Sequence, residues 1–388
     1  MKITIAMGFF LPVPPARGGA TEKSWHRLAE IFAARGHSVT LISRRWGNWP
    51  DDERREGVHY LRLGGFEHRG NLPLNLLLDL RWSLRVRRAM PAADLAVIHG
   101  VTLPALARHR WTGNTVLMPG RMPKGQYRLY RDISRVLATS RVVRDRVIAE
   151  RPEFESLTKI TGYPIDCGPL LAALSNRSSK ERKTITYVGR LHPEKGLDLL
   201  VEASCRLRAT PDLPPWRLVL CGPEDTASGG GGASYVESLR AKLSTQLPAD
   251  SWAIQAPRFE PDRLAEIYGQ ADVFCYPSLA ANGETFGVAI AEAMAAGAIP
   301  VVSRLECFQD LVSDGVNGIV FDHESADPAG SLTASLATAL RQPVDQARTM
   351  SRRASESVGR LDFPRYAQAL LADFSSLARG THSKELSA

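Results

Sequence analysis

Short apolar runs alternate with helical patterns along this chain from its first residues, and this alternation constrains the fold more than any other feature. It is typical of β-α-β units, in which crossover helices join parallel strands. Between the first two apolar runs, Thr21–Arg35 carries apolar residues at helical spacing and ends at Gly36. The strand candidates of the first half are Lys2–Met7, Ser38–Ser43, His59–Leu63, Leu95–His99, Thr115–Met118 and Arg135–Thr139. We therefore predict an α/β fold with a parallel sheet.

A second series of the same kind begins after the polar stretch Ser175–Lys183, which we interpret as a linker. Its strand candidates are Thr184–Gly189, Arg217–Cys221, Trp252–Gln255, Val273–Tyr276, Pro300–Val302 and Gly318–Phe321. Its clearest helical patterns are Leu197–Leu207, Tyr235–Leu247, Pro261–Gly269 and Val288–Ala296. With 388 residues the chain is long enough for two domains. We predict domains at 1–170 and 171–363, with a last helix at about 364–380 crossing back onto the first domain.

Positive charge is concentrated in the first half of the chain. Residues 1–170 hold 27 Lys and Arg against 15 Asp and Glu, whereas the remainder holds 22 against 26. Because basic and aromatic residues do not interleave and no DNA-reading motif is present, we expect no nucleic acid partner. A one-sided basic domain fits a phosphorylated acceptor or an anionic membrane surface, although a solvated basic face would give the same count.

The chain opens directly on a strand pattern and contains no apolar run of about 18 residues. This leaves no room for a signal peptide, so we expect a cytoplasmic protein. The segment Asn71–Met90 mixes leucines with arginines. It fits either a helix that lies peripherally on the inner face of the membrane or an ordinary helix that covers the sheet.

Two carboxylates bracket the start of a predicted helix in the second half. Glu284 precedes the helix and Glu292 lies inside it, eight positions later, and eight helical residues rise about 12 Å. The intervening residues that would turn backbone N–H groups toward an anion are Thr285, Phe286, Gly287 and Val288. This spacing predicts a ligand with hydroxyl groups at both ends and a diphosphate between them.

Two cations follow the first strand of the second series. After Gly189 ends that strand, Arg190 comes at once and Lys195 precedes the next helix. Both side chains can neutralise a diphosphate leaving group, Arg through paired hydrogen bonds and Lys as a point charge. Since the chain has no D-x-D motif, we expect neither a metal nor a cofactor, with these cations in the role that Mg²⁺ plays elsewhere.

Two weaker candidates also follow strands. Gly18 and Gly19 open the first helix and would let its backbone approach a phosphate or a sugar closely, although a tight turn needs glycine too. Arg258 follows a strand of the second half at a place suited to the edge of a nucleotide base, or simply to a loop.

These motifs resemble those of the retaining glycosyltransferases of family 4, which have the GT-B fold of two Rossmann-like domains with parallel sheets facing across a central cleft. The segments that carry the resemblance are G-R-L-x-x-x-K-G at Gly189–Gly196, A-D-V-F-x-x-P-S at Ala271–Ser278 and the E-x-x-x-x-x-x-x-E pair. They span roughly residues 184–322, and the first half matches more loosely. The resemblance implies donor-sugar binding by Glu284, ribose binding by Glu292, diphosphate binding by Arg190 and Lys195, and a loop above the diphosphate at Gly19. Arg190, Lys195 and Glu284 are the predicted catalytic residues.

One departure from the family concerns the acceptor side. Members carry a His where this chain reads Met118–Pro123. His99, at the end of a neighbouring strand, and Arg121, inside the altered loop, are the candidates to replace it, and a core histidine is the alternative for His99.

The resemblance implies a retaining, metal-independent transfer of a hexose from a nucleotide-diphosphate sugar, most commonly a UDP-sugar. The implied acceptor is a glycan or a lipid-linked glycan of surface polysaccharide synthesis. Two alternatives stay open at this point. One is a nucleotide-sugar epimerase or hydrolase on the same fold, and the other is a nucleotide-sugar-binding protein that has lost catalysis.

Overall fold

The chain folds into two compact units. The computed structural model describes residues 1–16, 19–67, 69–175, 181–257 and 260–385. Unit 1 comprises Met1–Pro164 together with the chain from Phe363 onward, and unit 2 comprises Ile165–Asp362. Each unit is built on its own sheet with helices between the strands. The predicted α/β class with parallel sheets is confirmed in both units.

The sheet of unit 1 has eight strands in the order β3-β4-β2-β1-β5-β6-β7-β8. They are β1 (Lys2–Ala6), β2 (Ser38–Arg44), β3 (Asp52–Arg55), β4 (Val58–Leu63), β5 (Leu95–Ile98), β6 (Asn114–Leu117), β7 (Arg135–Ala138) and β8 (Thr158–Ile160). The helices are α1 (Ala20–Ala34), α2 (Leu72–Ala89), α3 (Thr102–Leu106), α4 (His109–Thr112), α5 (Arg141–Glu150) and, at the end of the chain, α13 (Phe363–Glu385). Only the β3–β4 pairing is antiparallel among the described strands of this sheet.

The sheet of unit 2 has six parallel strands in the order β11-β10-β9-β12-β13-β14. They are β9 (Lys183–Val188), β10 (Trp216–Cys221), β11 (Trp252–Gln255), β12 (Val273–Tyr276), β13 (Ile299–Ser303) and β14 (Ile319–Phe321). The helices are α6 (Cys167–Ser175), α7 (Leu197–Arg208), α8 (Ala233–Gln246), α9 (Pro261–Gly269), α10 (Val288–Ala295), α11 (Pro328–Arg341) and α12 (Val344–Val358).

Burial explains why most of these strands are visible in the sequence. Every residue of β5 and of β12 is buried, as expected for parallel strands covered on both faces by helices. All the predicted strands are present, each within one residue of its predicted bounds. The prediction missed β3 and β8, whose sequences are DERR and TKI. Both are edge strands and bury too little apolar surface to leave a pattern.

In each sheet the strand order reverses at one point. In unit 1 this point lies between β1 and β5, and in unit 2 it lies between β9 and β12. In open parallel sheets, ligands bind outside the carboxyl ends of the strands at such a reversal. The loops that follow these four strands are therefore the places to look for a site.

The last helix completes unit 1. Asp373 of α13 accepts hydrogen bonds of 2.9 and 3.1 Å from the Arg135 guanidinium and also pairs with Lys159. The Tyr366 hydroxyl donates to the carbonyl oxygen of Gly162 at 3.0 Å. These contacts attach the end of the chain to β7, β8 and the segment after β8.

Gly196 offers a test of the turn that follows β9. Its φ is +69°, and a Cβ there would lie 2.0 Å from the carbonyl oxygen of Pro277. Gly315 has the same φ of +69° with no heavy atom within 4 Å of a Cβ. Gly315→Ala is therefore expected to lower the free energy of unfolding by about 1 kcal/mol through backbone strain alone. Gly196→Ala is expected to lower it by about 2 kcal/mol more, because the carbonyl must move.

Urea denaturation followed by circular dichroism measures both variants beside the parent protein. Equal losses of stability in the two variants would show that the Pro277 carbonyl does not restrict this turn.

Candidate functional site

A buried ion pair lies at the strand-order reversal of unit 2. The Lys195 ammonium lies 2.6 Å from Oε1 of Glu284, and only 6% and 7% of these two residues are exposed. Lys195 ends a short turn, Pro193–Lys195, that is stopped by Gly196 in the left-handed conformation. The turn follows β9 and Glu284 follows β12, so the two strands that flank the reversal bring the charges together.

Arg190 joins this ion pair through Glu194. Its Nη2 lies 2.5 Å from Oε1 of Glu194, and the same oxygen lies 3.9 Å from the Lys195 ammonium. Burial is the largest single influence and would raise the pKa of the Glu194 carboxyl, but the hydrogen bond from Arg190 and the charges of Arg190 and Lys195 together outweigh it, so the pKa is lowered. The structure thus brings Arg190, Lys195 and Glu284 into one chain of charges, in which Glu194 is the link that the sequence prediction missed.

Two stacked tyrosines lie beneath these charges. The rings of Tyr187 and Tyr276 are 5.6 Å apart at an angle of 12°, and the Lys195 ammonium lies 5.9 Å from the centre of the Tyr276 ring. The Tyr187 hydroxyl donates to the carbonyl oxygen of Arg190 at 2.8 Å. Burial and the nearby Glu284 carboxylate raise the pKa of Tyr276 well above its ordinary value. Both rings stay neutral, and they orient the cations from below.

The second carboxylate is held by its own partner. Glu292 lies in α10, and its Oε2 accepts a hydrogen bond from the Tyr268 hydroxyl at 2.9 Å. Burial, and to a smaller extent the charge of Glu292, raises the pKa of Tyr268 well above its ordinary value. This phenol therefore remains a hydrogen-bond donor. Glu284 and Glu292 therefore stand before and within the helix as predicted from their spacing, each with one oriented oxygen.

The helix α10 begins four residues after Glu284, without a side-chain cap at its start. Gly287, with a φ of +100°, is the residue before the helix and provides no side-chain cap. Thr285 and Phe286 lie buried in the preceding turn, and Val288 is the first helical residue. The first N–H groups of a helix have no partner inside it, and here no side chain of Gly287 covers them.

Two glycines of this region are required by close contacts. A Cβ on Gly189, at the end of β9, would lie 2.6 Å from the Tyr187 hydroxyl oxygen. Gly229 accepts a hydrogen bond of 2.7 Å from Nη1 of Arg190, and a Cβ there would lie 3.1 Å from Cδ of the same side chain. The glycine-rich segment 228–233, to which the sequence analysis assigned no part in the site, therefore packs on Arg190 through Gly229. Its position after β10 is the signal that we overlooked.

Three further predicted residues lie at the start of the first helix or at the place predicted for the edge of the nucleotide base. Gly18 and Arg258 lie outside the described residues. Gly19 precedes α1 with a φ of +97°, and a Cβ there would lie 2.2 Å from Oε2 of Glu22. The carboxylate of Glu22 thus lies over the helix terminus that we assigned to a phosphate or a sugar.

Unit 1 holds a cavity of about 300 Å³ at its own strand-order reversal. His99 and Arg121 both line it, so the structure brings together the two candidates for the acceptor side. Glu22 lines the same cavity and was missed by the sequence prediction, although it stands three residues after Gly19. Apolar side chains supply much of the remaining wall: Phe9, Phe10, Leu72, Leu76, Ile98, Leu117, Met118, Tyr127 and Tyr130.

His99 is buried, with 9% of the residue exposed, and its ring lies edge-on to that of Trp25 at 5.6 Å. Within the described part of the chain, its Nε2 has no hydrogen-bond partner. Burial lowers the pKa of the imidazole to about 4. At neutral pH the ring is therefore uncharged.

Glu22 is the other titratable group of this wall. Burial raises the pKa of its carboxyl to about 6, against the hydrogen bond from its own backbone and the charge of Arg121, which lower it. The group can therefore gain or lose a proton near neutral pH. Such shifted carboxyl groups are concentrated at functional sites.

The described residues contain neither a metal-binding cluster nor a membrane-spanning helix. No three His, Cys, Asp or Glu side chains among them converge on a position for a metal ion. Within the same residues, no helix combines the length and the apolar character needed to cross a bilayer.

Comparison with known proteins places this geometry in context. Residues 174–357 match the family model described as glycosyl transferases group 1. The D-inositol 3-phosphate glycosyltransferase of Stackebrandtia nassauensis is 28% identical over 345 residues, which cover 79% of this chain and 76% of that protein.

Solved structures resemble nearly the whole chain. Sucrose-phosphate synthase from Thermosynechococcus elongatus has a TM-score of 0.76 at 19% identity, covering 98% of this chain and 99% of its own. Anabaena HepE, solved in complex with UDP and glucose, has a TM-score of 0.71 at 18% identity, covering 97% and 100%. These likenesses show that the fold is GT-B, as predicted. The matched residues 174–357, the curated relatives and the fold together support a GT-B glycosyltransferase.

Proposed function

We propose that this glycosyltransferase moves a hexose from a nucleotide-diphosphate sugar, most commonly a UDP-sugar, to an acceptor. The transfer retains the anomeric configuration and needs no metal. The observation that carries the proposal is the buried pair of Lys195 and Glu284, with Arg190 linked to it and the start of α10 beside Glu284. Fixed cations and a helix N-terminus are suited to a diphosphate, and the carboxylate is suited to sugar hydroxyls.

The charges in this cluster define how the donor would bind. Arg190 and Lys195 are balanced by Glu194 and Glu284 when no donor is present. On donor binding, Glu284 turns to accept hydrogen bonds from sugar hydroxyls, and the Lys195 ammonium is released to the diphosphate. Glu292, oriented by Tyr268, accepts from the ribose hydroxyls. The exchange replaces the ion pair of Lys195 and Glu284 by one between Lys195 and the diphosphate, while hydrogen bonds from the sugar hydroxyls satisfy the Glu284 carboxylate.

The reaction itself is then mostly stabilisation of the leaving group. The bond between the anomeric carbon and the phosphate oxygen breaks as negative charge gathers on the diphosphate, where Arg190 and Lys195 receive it. The acceptor oxygen forms its bond to the same face of the anomeric carbon. Its proton passes to the departing phosphate oxygen, so no strong protein base is needed and configuration is retained.

The acceptor in this proposal is a glycan or a lipid-linked glycan of surface polysaccharide synthesis, and it binds the cavity of unit 1. Three polar groups of different kinds line that cavity: neutral His99, the titratable Glu22 and the cation Arg121. Together they can accept from hydroxyl groups and pair with an anionic group. The relative from Stackebrandtia nassauensis is named as a D-inositol 3-phosphate glycosyltransferase, which supports a phosphorylated acceptor.

The direct test is a donor screen across UDP-, GDP- and ADP-sugars, followed by an acceptor screen with NMR of the product. Retention predicts a product with the anomeric configuration of the donor, and EDTA is expected to leave the rate unchanged. An inverted product, or loss of activity in EDTA that Mg²⁺ restores, would overturn the mechanism. Donor turnover without an acceptor would indicate the epimerase or hydrolase, and donor binding without any turnover would indicate the decayed binding protein.

Removing the buried cation is expected to abolish most of the activity. Lys195→Met should lower kcat/KM well over tenfold, because a charged contact to the leaving group is lost. It should also destabilise unit 2 by about 3–5 kcal/mol, because Glu284 is left buried without a partner. Steady-state kinetics and thermal unfolding measure the two effects.

A double variant separates catalysis from folding. Lys195→Met combined with Glu284→Gln should recover most of the lost stability without recovering the rate. The matched control is Lys242→Met, whose ammonium makes an exposed pair with Asp198 at 3.1 Å. This control should change stability by less than about 1 kcal/mol and leave the rate unchanged. Full activity in the double variant would remove Lys195 from the mechanism.

Glu22 predicts a pH-dependent stability. Its pKa of about 6 in the folded chain exceeds the ordinary 4.5, so its contribution is fully present below pH 4.5 and is lost as the pH rises through 6. The variant Glu22→Gln has no titrating carboxyl at this position, so it does not lose this stability as the pH rises. The free energy of unfolding of the variant, relative to the parent, should therefore rise by roughly 2 kcal/mol between pH 4 and pH 7.5.

Urea denaturation at several pH values measures this difference. Lys23→Gln, on the same helix, is the control, because a lysine keeps its charge throughout this range. A pH-independent difference for Glu22→Gln would show that the carboxyl is not desolvated.

A further inference from the structure

The second helix of unit 1 has an unusual outer face. Six of the seven leucines in α2 are exposed, and only Leu78 is buried among them. We name these six the leucine face: Leu72, Leu74, Leu76, Leu77, Leu80 and Leu84. The most exposed, Leu72, shows 69% of its surface. A surface helix normally turns polar residues to this side, so the leucine face needs a partner.

The opposite side of α2 packs into the core of unit 1. Trp82 and Val86 are fully buried in the core of unit 1, and the indole of Trp82 donates to the carbonyl oxygen of Met7 at 3.0 Å. Leu76, Leu80 and Leu84 follow one another at intervals of four residues, so they form a ridge along the solvent side. The ridge is therefore not a second contribution to the same core.

The charged residues of α2 indicate what kind of partner the leucine face binds. Four arginines occupy its second half: Arg81, Arg85, Arg87 and Arg88. The one acidic residue of the helix, Asp79, is buried and accepts hydrogen bonds from the backbone N–H and the hydroxyl of Thr102, each at 2.7 Å. The exposed side of α2 thus combines leucines with positive charge and presents no carboxylate.

We propose that the leucine face docks on the surface of an anionic lipid bilayer. The leucines enter the boundary between headgroups and acyl chains, and the arginines pair with lipid phosphates. The exposed side of α2 supplies apolar surface for the acyl boundary and positive charge for the phosphates, so its chemistry matches that of an anionic bilayer.

The position of the cavity in unit 1 extends this proposal to the acceptor. Leu72, Asn75 and Leu76 line that cavity as well as belonging to α2. A lipid-linked acceptor can therefore place its polar head beside His99 and Glu22 while its chain remains against Leu72 and Leu76. This extension rests on the proposed function, whereas docking on the bilayer does not.

The test is sedimentation of the full chain with vesicles, which needs no turnover. Binding is expected to vesicles of phosphatidylcholine and phosphatidylglycerol in equal parts, and to fall at least tenfold on vesicles of phosphatidylcholine alone. Leu76→Ser, Leu80→Ser and Leu84→Ser together should lower the partition coefficient at least tenfold. Arg81→Gln with Arg88→Gln should lower it about fivefold for each arginine removed.

Matched controls lie on α12 of unit 2, where Val344 is 65% exposed and Arg352 and Arg353 are also exposed. Val344→Ser and the pair Arg352→Gln with Arg353→Gln should leave vesicle binding unchanged. Calorimetric binding of UDP-sugars should be the same in all variants, which separates this proposal from the donor assignment.

Three outcomes would overturn the docking proposal. They are no sedimentation with anionic vesicles at low salt, equal sedimentation with neutral vesicles, and a dimer that the leucine variants convert to a monomer without any vesicle binding. The extension to the acceptor fails separately if the parent binds vesicles but transfers sugar equally well to lipid-linked and to free acceptors.

Discussion

The Lys195–Glu284 pair is the interaction on which the rest of unit 2 depends. Two opposite charges buried at 2.6 Å are tolerable only because each satisfies the other. The turn after β9 and the loop after β12 must therefore keep one mutual position, and Gly196 allows them to approach. The tyrosine stack below and the start of α10 beside them fix the remaining directions. In the proposed function, the same constraint that holds the two charges together prepares them for a ligand that separates them.

Unit 1 presents the opposite kind of site. Its cavity is walled mostly by apolar groups, and no ion pair like that of Lys195 and Glu284 is found among the described residues of its wall. His99 keeps a nitrogen without a partner in the described chain, and the carboxyl of Glu22 has a raised pKa because water is excluded. Such a wall binds through shape and a few directed hydrogen bonds. The two units thus differ in chemistry although their sheets follow the same topological rule.

Much of this organisation could be predicted from the sequence because it depends on local patterns. Buried parallel strands such as β12 are apolar throughout, and Glu284, Arg190 and Lys195 all directly follow strands. The role of Gly229 comes from a contact with Arg190 across two loops distant in the chain. Glu194 lies only four positions from Arg190, but its role as partner of both cations depends on the conformation of the turn. Glu22 was missed for a different reason: a glutamate in the first turn of a helix is ordinary until burial is known. The charged edge strand β3 left no apolar pattern at all.

The return of α13 to unit 1 also bears on how the protein is made. Unit 2 is one continuous stretch of chain, whereas unit 1 requires the last helix, held by Asp373 between Arg135 and Lys159. During synthesis all of unit 2 leaves the ribosome before unit 1 is complete. The second unit can therefore reach its native state first, whereas unit 1 lacks the packing of α13 against α1 and β6 until that helix has been made.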